Sequence, residues 1–72
     1  MDLRTARKKR QMTQEQLEAK AGVDQSVISR LERGATSPEW TTVERLETAL
    51  KLRPGTLDFS ANRPRATESV AS

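Results

Sequence analysis

The chain has 72 residues, 33% hydrophobic and 32% charged, with a net charge of +3, so one domain with a thin core is expected: a chain this short buries only about 60% of its unfolded surface. With no cysteine, histidine or tyrosine, disulfides, zinc–cysteine sites and thiol nucleophiles are excluded, and the usual general base, the commonest metal ligand and the phenolic acid are missing. No apolar run approaches the roughly 18 residues that cross a bilayer, and the basic start lacks the apolar region of a signal peptide, so no membrane partner and a cytoplasmic location are expected.

The first expected helix is Asp2 to Arg10, which has no Gly or Pro. Leu3 and Ala6 lie three apart on one face, with an acid at the start and cations at the end, the order the helix dipole favours. Arg4, Arg7, Lys8, Lys9 and Arg10 stand against one acid, Asp2. A basic patch on a small domain is the electrostatic footprint of nucleic-acid binding; on charge alone, a solvated helix face is an equal alternative.

Thr13-Gln14-Glu15-Gln16 fits a capping box, with Thr13 as N-cap and Gln16 three residues on. Leu17 and Ala21 follow at i and i+4, and Gly22 suits a left-handed helix end, so helix 2 spans about Gln14 to Ala21. Asp24 is a good N-cap for helix 3, whose apolar face is Val27, Ile28 and Leu31, closed by Gly34. Ala35 to Pro38 is a loop by composition.

Helix 4 begins between Glu39 and Thr41. Trp40, Val43, Leu46, Ala49 and Leu50 repeat at threes and fours, and Thr41 with Glu44 offers a second capping box. Arg53-Pro54-Gly55 breaks the chain, and Pro54 fits the first position of a short fifth helix to about Phe59. Residues 1–60 form the expected domain. Residues 61–72, poor in apolar side chains, read as a disordered tail. No strand-period segment and no internal repeat occurs.

The segment Thr13 to Gly34 carries the functional signal. It is two short helices joined at Ala21-Gly22-Val23, and the second opens with Gln25, Ser26, Val27, Ser29 and Arg30. Those side chains can meet base edges. The ordered series is longer: Leu3-Arg4-x-x-Arg7-Lys8, then Met12-Thr13-Gln14-x-x-Leu17, then Ala21-Gly22-Val23, then Gln25-Ser26-x-Ile28-Ser29-x-Leu31-Glu32-x-Gly34, with Pro38, Val43, Leu46, Ala49-Leu50 and Leu57 after them. Over about Leu3 to Phe59 the chain resembles the lambdoid repressor and Cro (XRE-type) family of helix-turn-helix DNA-binding domains.

The resemblance implies an all-α fold, a compact five-helix bundle of the lambda-repressor-like type. It implies a transcriptional regulator, a repressor in the leading reading, with no cofactor, no metal and no enzymatic activity. The partner is double-stranded DNA, bound by a homodimer on a near-palindromic operator with half-sites about 34–36 Å apart. A bacterial or phage-encoded protein, on the nucleoid when bound, is the implied setting. Antitoxins and restriction-modification controllers that repress their own operons share this outline. A toxin or antirepressor partner is an open alternative, as is a protein-interaction module that kept only the fold.

In the implied geometry helix 3 lies in the major groove. Gln25 suits adenine and Arg30 guanine, at roughly 1–3 kcal/mol of discrimination each, with Ser26 and Ser29 as adaptable partners. Val27 faces a thymine methyl or the core; Arg30 has Glu18 or a phosphate as alternatives. Thr13 and Gln14 open helix 2, where N–H groups favour a phosphate. Arg33, Thr36 and Ser37 flank the groove, and Arg10 reaches the backbone from helix 1. Arg7 and Glu32 form an implied structural ion pair. Trp40 falls in the core or, with Leu52, Leu57 and Phe59, at the dimer contact.

Three positions depart from the family pattern. Glu18 stands where a small residue usually succeeds the helix 2 leucine; it must snorkel, pair with a cation such as Arg30, or widen the helix crossing. Gln11 and Lys51 stand where glycine often ends helices 1 and 4, at a cost of about 1 kcal/mol each if left-handed.

Overall fold

The computed structural model describes residues 1–62. These form four helices: α1 (Leu3–Lys9), α2 (Gln14–Ala21), α3 (Gln25–Glu32) and α4 (Trp40–Ala49). No strand occurs among the described residues, and no helix there is long and apolar enough to cross a membrane. The tail expected over 61–72 lies outside the described residues from 63 onward.

The helix starts reflect local chemistry. Thr13 Oγ1 accepts from Gln16 N at 3.0 Å and Gln16 Oε1 accepts from Thr13 N at 2.8 Å, a complete capping box. Asp24 Oδ1 accepts from Ser26 N at 3.0 Å and caps α3. The second capping box does not form. α4 begins at Trp40 with Glu39 as its N-cap and no side-chain cap bond, which places Thr41 inside the first turn, beyond the position from which a hydroxyl caps.

The helix ends are more unusual. At α1, α3 and α4 the chain closes with paired bonds that run five and three residues back: Met12 N to Arg7 O with Gln11 N to Lys8 O, Ala35 N to Arg30 O with Gly34 N to Leu31 O, and Leu52 N to Glu47 O with Lys51 N to Thr48 O. This closure needs one left-handed residue. Gly34 supplies it at α3, but Gln11 and Lys51 supply it at α1 and α4, each at φ +56°. The strain expected at those two positions is therefore present.

Leu17, Ile28, Leu46 and Leu50 are fully buried and Leu3, Ala6, Ala21, Val23, Leu31 and Leu57 nearly so. α2 packs on α3 and α4, and α1 packs on α3, so the core gathers around Leu17.

No fifth helix forms over Pro54–Phe59; the segment is a series of turns. The cause is a competing acceptor. The Glu47 side chain, only 4% exposed, takes the backbone N–H groups of Gly55 and Leu57 on Oε2 at 2.9 and 3.1 Å. Gly55 sits at φ +88°, and Thr56 N and Oγ1 both donate to Arg53 O. The N-terminus closes over this segment, with Asp58 N donating to Met1 O at 2.8 Å. Ala61 and Asn62, assigned to the tail from the sequence, belong to the fold, for the Asn62 amide donates to Leu31 O and Thr36 O.

Candidate nucleic-acid interface

The turn between α2 and α3 is fixed by Gly22 at φ +69°, whose N–H donates to Glu18 O at 2.9 Å, and by Val23, which is buried. These anchors set where α3 begins. Gln25 and Ser29 are half-buried and Ser26 is exposed. Ser26 Oγ donates to Asp24 Oδ1 at 3.1 Å, so its orientation is set by the cap while its lone pairs stay available. The backbone and hydroxyl bonds from Ser26 lower the Asp24 pKa and keep the cap ionised.

Arg30 Nε reaches back to Ser26 O at 3.4 Å. Its pairing with Glu18 is not formed: among the described residues the ion pairs are Arg4–Glu32 and Arg7–Glu32. Glu18 is half-buried. Val27 packs against the core, which supports its core alternative and leaves Gln25, Ser26, Ser29 and Arg30 as the polar set of α3.

The end of α3 is tied to the start of α2 and to α1 through one carboxylate. The Glu32 side chain is fully buried and the Arg7 side chain 12% exposed. Arg7 Nε donates to Glu32 Oε2 at 2.6 Å and Nη2 to Oε1 at 3.0 Å, a bidentate pair; Arg7 Nη1 donates to Met12 O at 2.8 Å. Gln14 Nε2 also donates to Glu32 Oε1 at 3.1 Å, and Arg4 Nε lies 3.4 Å from the same oxygen. Burial pushes the Glu32 pKa up, but the bonds from Arg7 and Gln14 outweigh it and leave a net lowering. The bond to Glu32 holds Arg7 above its ordinary value.

Gln14 is thus not a freely solvated side chain. Its amide is oriented at the N-terminus of α2, and one of its two N–H donors is occupied by Glu32. Thr13, beside it, is exposed with its backbone N–H engaged. On the other flank, Arg33 and Ser37 are exposed and Thr36 is half-buried.

Arg10, expected at the DNA backbone, is exposed and donates from Nε to Leu50 O at 2.8 Å and from Nη2 to Lys51 O at 3.3 Å. It satisfies the open carbonyls of α4, where a cation also complements the helix dipole. Leu57, expected at the dimer contact, is 7% exposed and part of the core, so it offers no surface to a partner.

Of the other dimer candidates, Trp40 and Leu52 lie together and Phe59 apart: Trp40, outside the core, is 75% exposed and lines a hollow with Glu44, Glu47, Thr48, Leu52 and Pro54. Phe59 is half-buried against the core and lines a different hollow with Leu3, Leu31 and Asn62. Sequence reasoning missed Glu47 and Asn62, whose partners are backbone groups that leave no pattern in side-chain types. It also missed Arg4 as a third donor to Glu32, although Arg4 lies three residues from Arg7, the spacing of neighbours on one helix face.

A helix-turn-helix family profile matches residues 3–57. No curated protein and no solved structure shows a significant match to the chain.

Proposed function

The chain belongs to the XRE-type helix-turn-helix family, whose members are DNA-binding regulators of transcription, and on that premise we propose that this protein is a sequence-specific repressor that reads double-stranded DNA with the leading turn of α3. The observation that supports this most is the α2–turn–α3 unit itself. Ser26 is positioned by its own cap and Gln25 lies beside it at the start of the helix, where base edges are met in this geometry. Arg30 comes one turn later. At the flank, Gln14 is oriented by Glu32, with Thr13 beside it and Arg33, Thr36 and Ser37 on the opposite side. These supply phosphate contacts, which position the protein and set affinity without choosing sequence.

A single unit of this kind reads only a few base pairs, so useful specificity comes from two copies. The exposed indole of Trp40, beside Leu52 and Pro54, is the apolar surface that favours a homodimer. An exposed aromatic side chain of this size next to apolar neighbours is the kind of anchor that interfaces bury.

Selection of bound duplexes from a random pool tests the reading. The expected result is an enriched, near-palindromic site with half-sites about 34–36 Å apart, one turn of B-DNA. Weak binding with no enriched motif would refute base reading. An enriched single half-site would refute the dimer alone.

A further inference from the structure

We infer that Asp24 fixes the chemistry that Ser26 reads. It holds the Ser26 hydroxyl proton, so Ser26 meets DNA as a hydrogen-bond acceptor and selects a base that carries an amino group, adenine or cytosine, on the strand it faces. The inference rests on the DNA-binding reading and names the base class that one contact of that site takes.

The carrying observation is the direction of one hydrogen bond. Ser26 N and Ser26 Oγ both donate to Asp24 Oδ1, at 3.0 and 3.1 Å. A hydroxyl has one proton and two lone pairs, and an ionised carboxylate only accepts. The shared proton therefore comes from Ser26, and none is left on Oγ for a ligand. The same two bonds hold the Asp24 carboxyl below its ordinary range, so the acceptor stays ionised. The backbone bond pins the carboxylate at the start of α3, so the cap and the hydroxyl orientation form together. Turning the hydroxyl toward an acceptor on DNA would break a charge-assisted bond, the stronger kind.

What remains at Ser26 is an exposed oxygen that accepts, beside a negative charge. Phosphate oxygens are acceptors, and the Asp24 charge repels them. In the major groove guanine offers N7 and O6, and thymine offers O4, all acceptors as well. Adenine N6 and cytosine N4 are the donors of that groove, and an accepting oxygen next to a carboxylate attracts them. Serine is otherwise an adaptable reader that pairs with donors or acceptors; the cap removes half of that range. Arg30 lies four residues on, on the same helix face, with its Nε at 3.4 Å from Ser26 O. Its guanidinium only donates, so the two side chains cannot stand in for each other.

The test uses the full chain and the duplex recovered by selection. Ser26→Ala first identifies the base pair that Ser26 reads, as the position where the selected motif loses its preference. At that pair the amino group is deleted, with purine in place of adenine or 2-pyrimidinone in place of cytosine. The deletion should weaken wild-type binding about two- to tenfold per half-site, the worth of one hydrogen bond. It should add nothing beyond its effect on the duplex itself in Ser26→Ala. Deleting the purine N7 acceptor with a 7-deaza base should affect both proteins alike. Asp24→Gly frees the hydroxyl and keeps nearly all of the capping stability. Its selected motif should admit guanine or thymine on the strand that carried the amino base. A loss on N7 deletion that depends on Ser26 would show a donating hydroxyl and overturn the inference, as would an amino deletion with the same effect on both proteins. An unchanged motif in Asp24→Gly overturns Asp24 as the positioning residue. An unchanged motif in Ser26→Ala removes Ser26 from base reading and leaves the DNA-binding reading intact. Failure of the wild type to select any duplex overturns both.

Discussion

Glu32 and Glu47 are both withdrawn from water, one at the end of α3 and the other near the end of α4, but different groups answer them. Glu32 receives two arginines and a glutamine from α1 and α2. Glu47 receives only the backbone N–H groups of Gly55 and Leu57 among the described residues. The first carboxylate couples three helices and orients Gln14 at the proposed DNA flank. The second fastens the segment after α4 and takes the place of a fifth helix. On the proposed function, the first site links stability to DNA binding, whereas the second fastens the fold.

The largest expected effect separates them directly. Glu32→Ala leaves the nearly buried Arg7 charge without its partner, a loss of about 3–5 kcal/mol by analogy with broken buried pairs. At roughly 4–8 °C per kcal/mol for a domain of this size, thermal unfolding should shift by well over ten degrees. The same substitution frees the Gln14 amide, so DNA affinity should fall even where the variant remains folded. The pair also sets the acid limit. The Glu32 pKa is lowered from its ordinary 4.5, so its stabilisation is present above that value and is lost as pH falls through the lower folded-state value. Acid titration of wild type and Glu32→Gln should show the wild-type advantage shrinking below pH 4.5, and a constant gap between them would contradict the assignment.

Glu47→Ala comes next. It strips the acceptor from the buried Leu57 N–H and from the Gly55 N–H, at about 1–3 kcal/mol for a buried donor left unpaired. Glu47→Gln keeps a carbonyl oxygen and should lose less. Neither should change base preference or the salt slope of the folded protein. A change in either would show that the two glutamates are not separable in function.

This contrast also explains what could be read from the sequence. The bounds of α2 and α3 were legible because they have local chemical causes, the Thr13 box, the Asp24 cap and the Gly22 and Gly34 ends, whereas α1 and α4 start without a side-chain cap and were read from their apolar spacing. The Arg7–Glu32 pairing came from the family resemblance. The segment after Lys51 was not legible. Pro54 suits a helix start, but helix formation there competes with the Glu47 carboxylate from the preceding helix, and nothing in the local sequence records that competition. Asn62 hid for the same reason, since its partners are carbonyl oxygens present at every residue. The bonds of Arg10 to Leu50 O and Lys51 O were not legible either, since their acceptors are backbone carbonyls at the end of α4.

Arg10 gives a smaller test of the same kind. Arg10→Ala removes its bonds to Leu50 O and Lys51 O and should lower stability by about 1 kcal/mol, the usual net value of such bonds. The salt slope of DNA binding should not move. A slope shallower by about one unit would return Arg10 to the phosphate face.

The smallest expected effect runs in the stabilising direction. Gln11→Gly and Lys51→Gly each relieve a left-handed φ of +56° and should raise stability by up to about 1 kcal/mol, offset in part by the greater freedom of glycine in the unfolded chain. Chemical denaturation reads both. Destabilisation by either would mean that its side chain contributes more than its backbone strain costs.

Base reading by the leading turn of α3 is the claim on which the functional account depends, and Gln25→Ala tests it most directly. Wild type and variant are each used to select duplexes from one random pool at fixed salt. The variant should lose preference at one base pair in each half-site, at about 1–3 kcal/mol of discrimination, and keep the rest of the motif. An unchanged motif with uniformly weaker binding to all sequences would contradict base reading and assign Gln25 to the backbone.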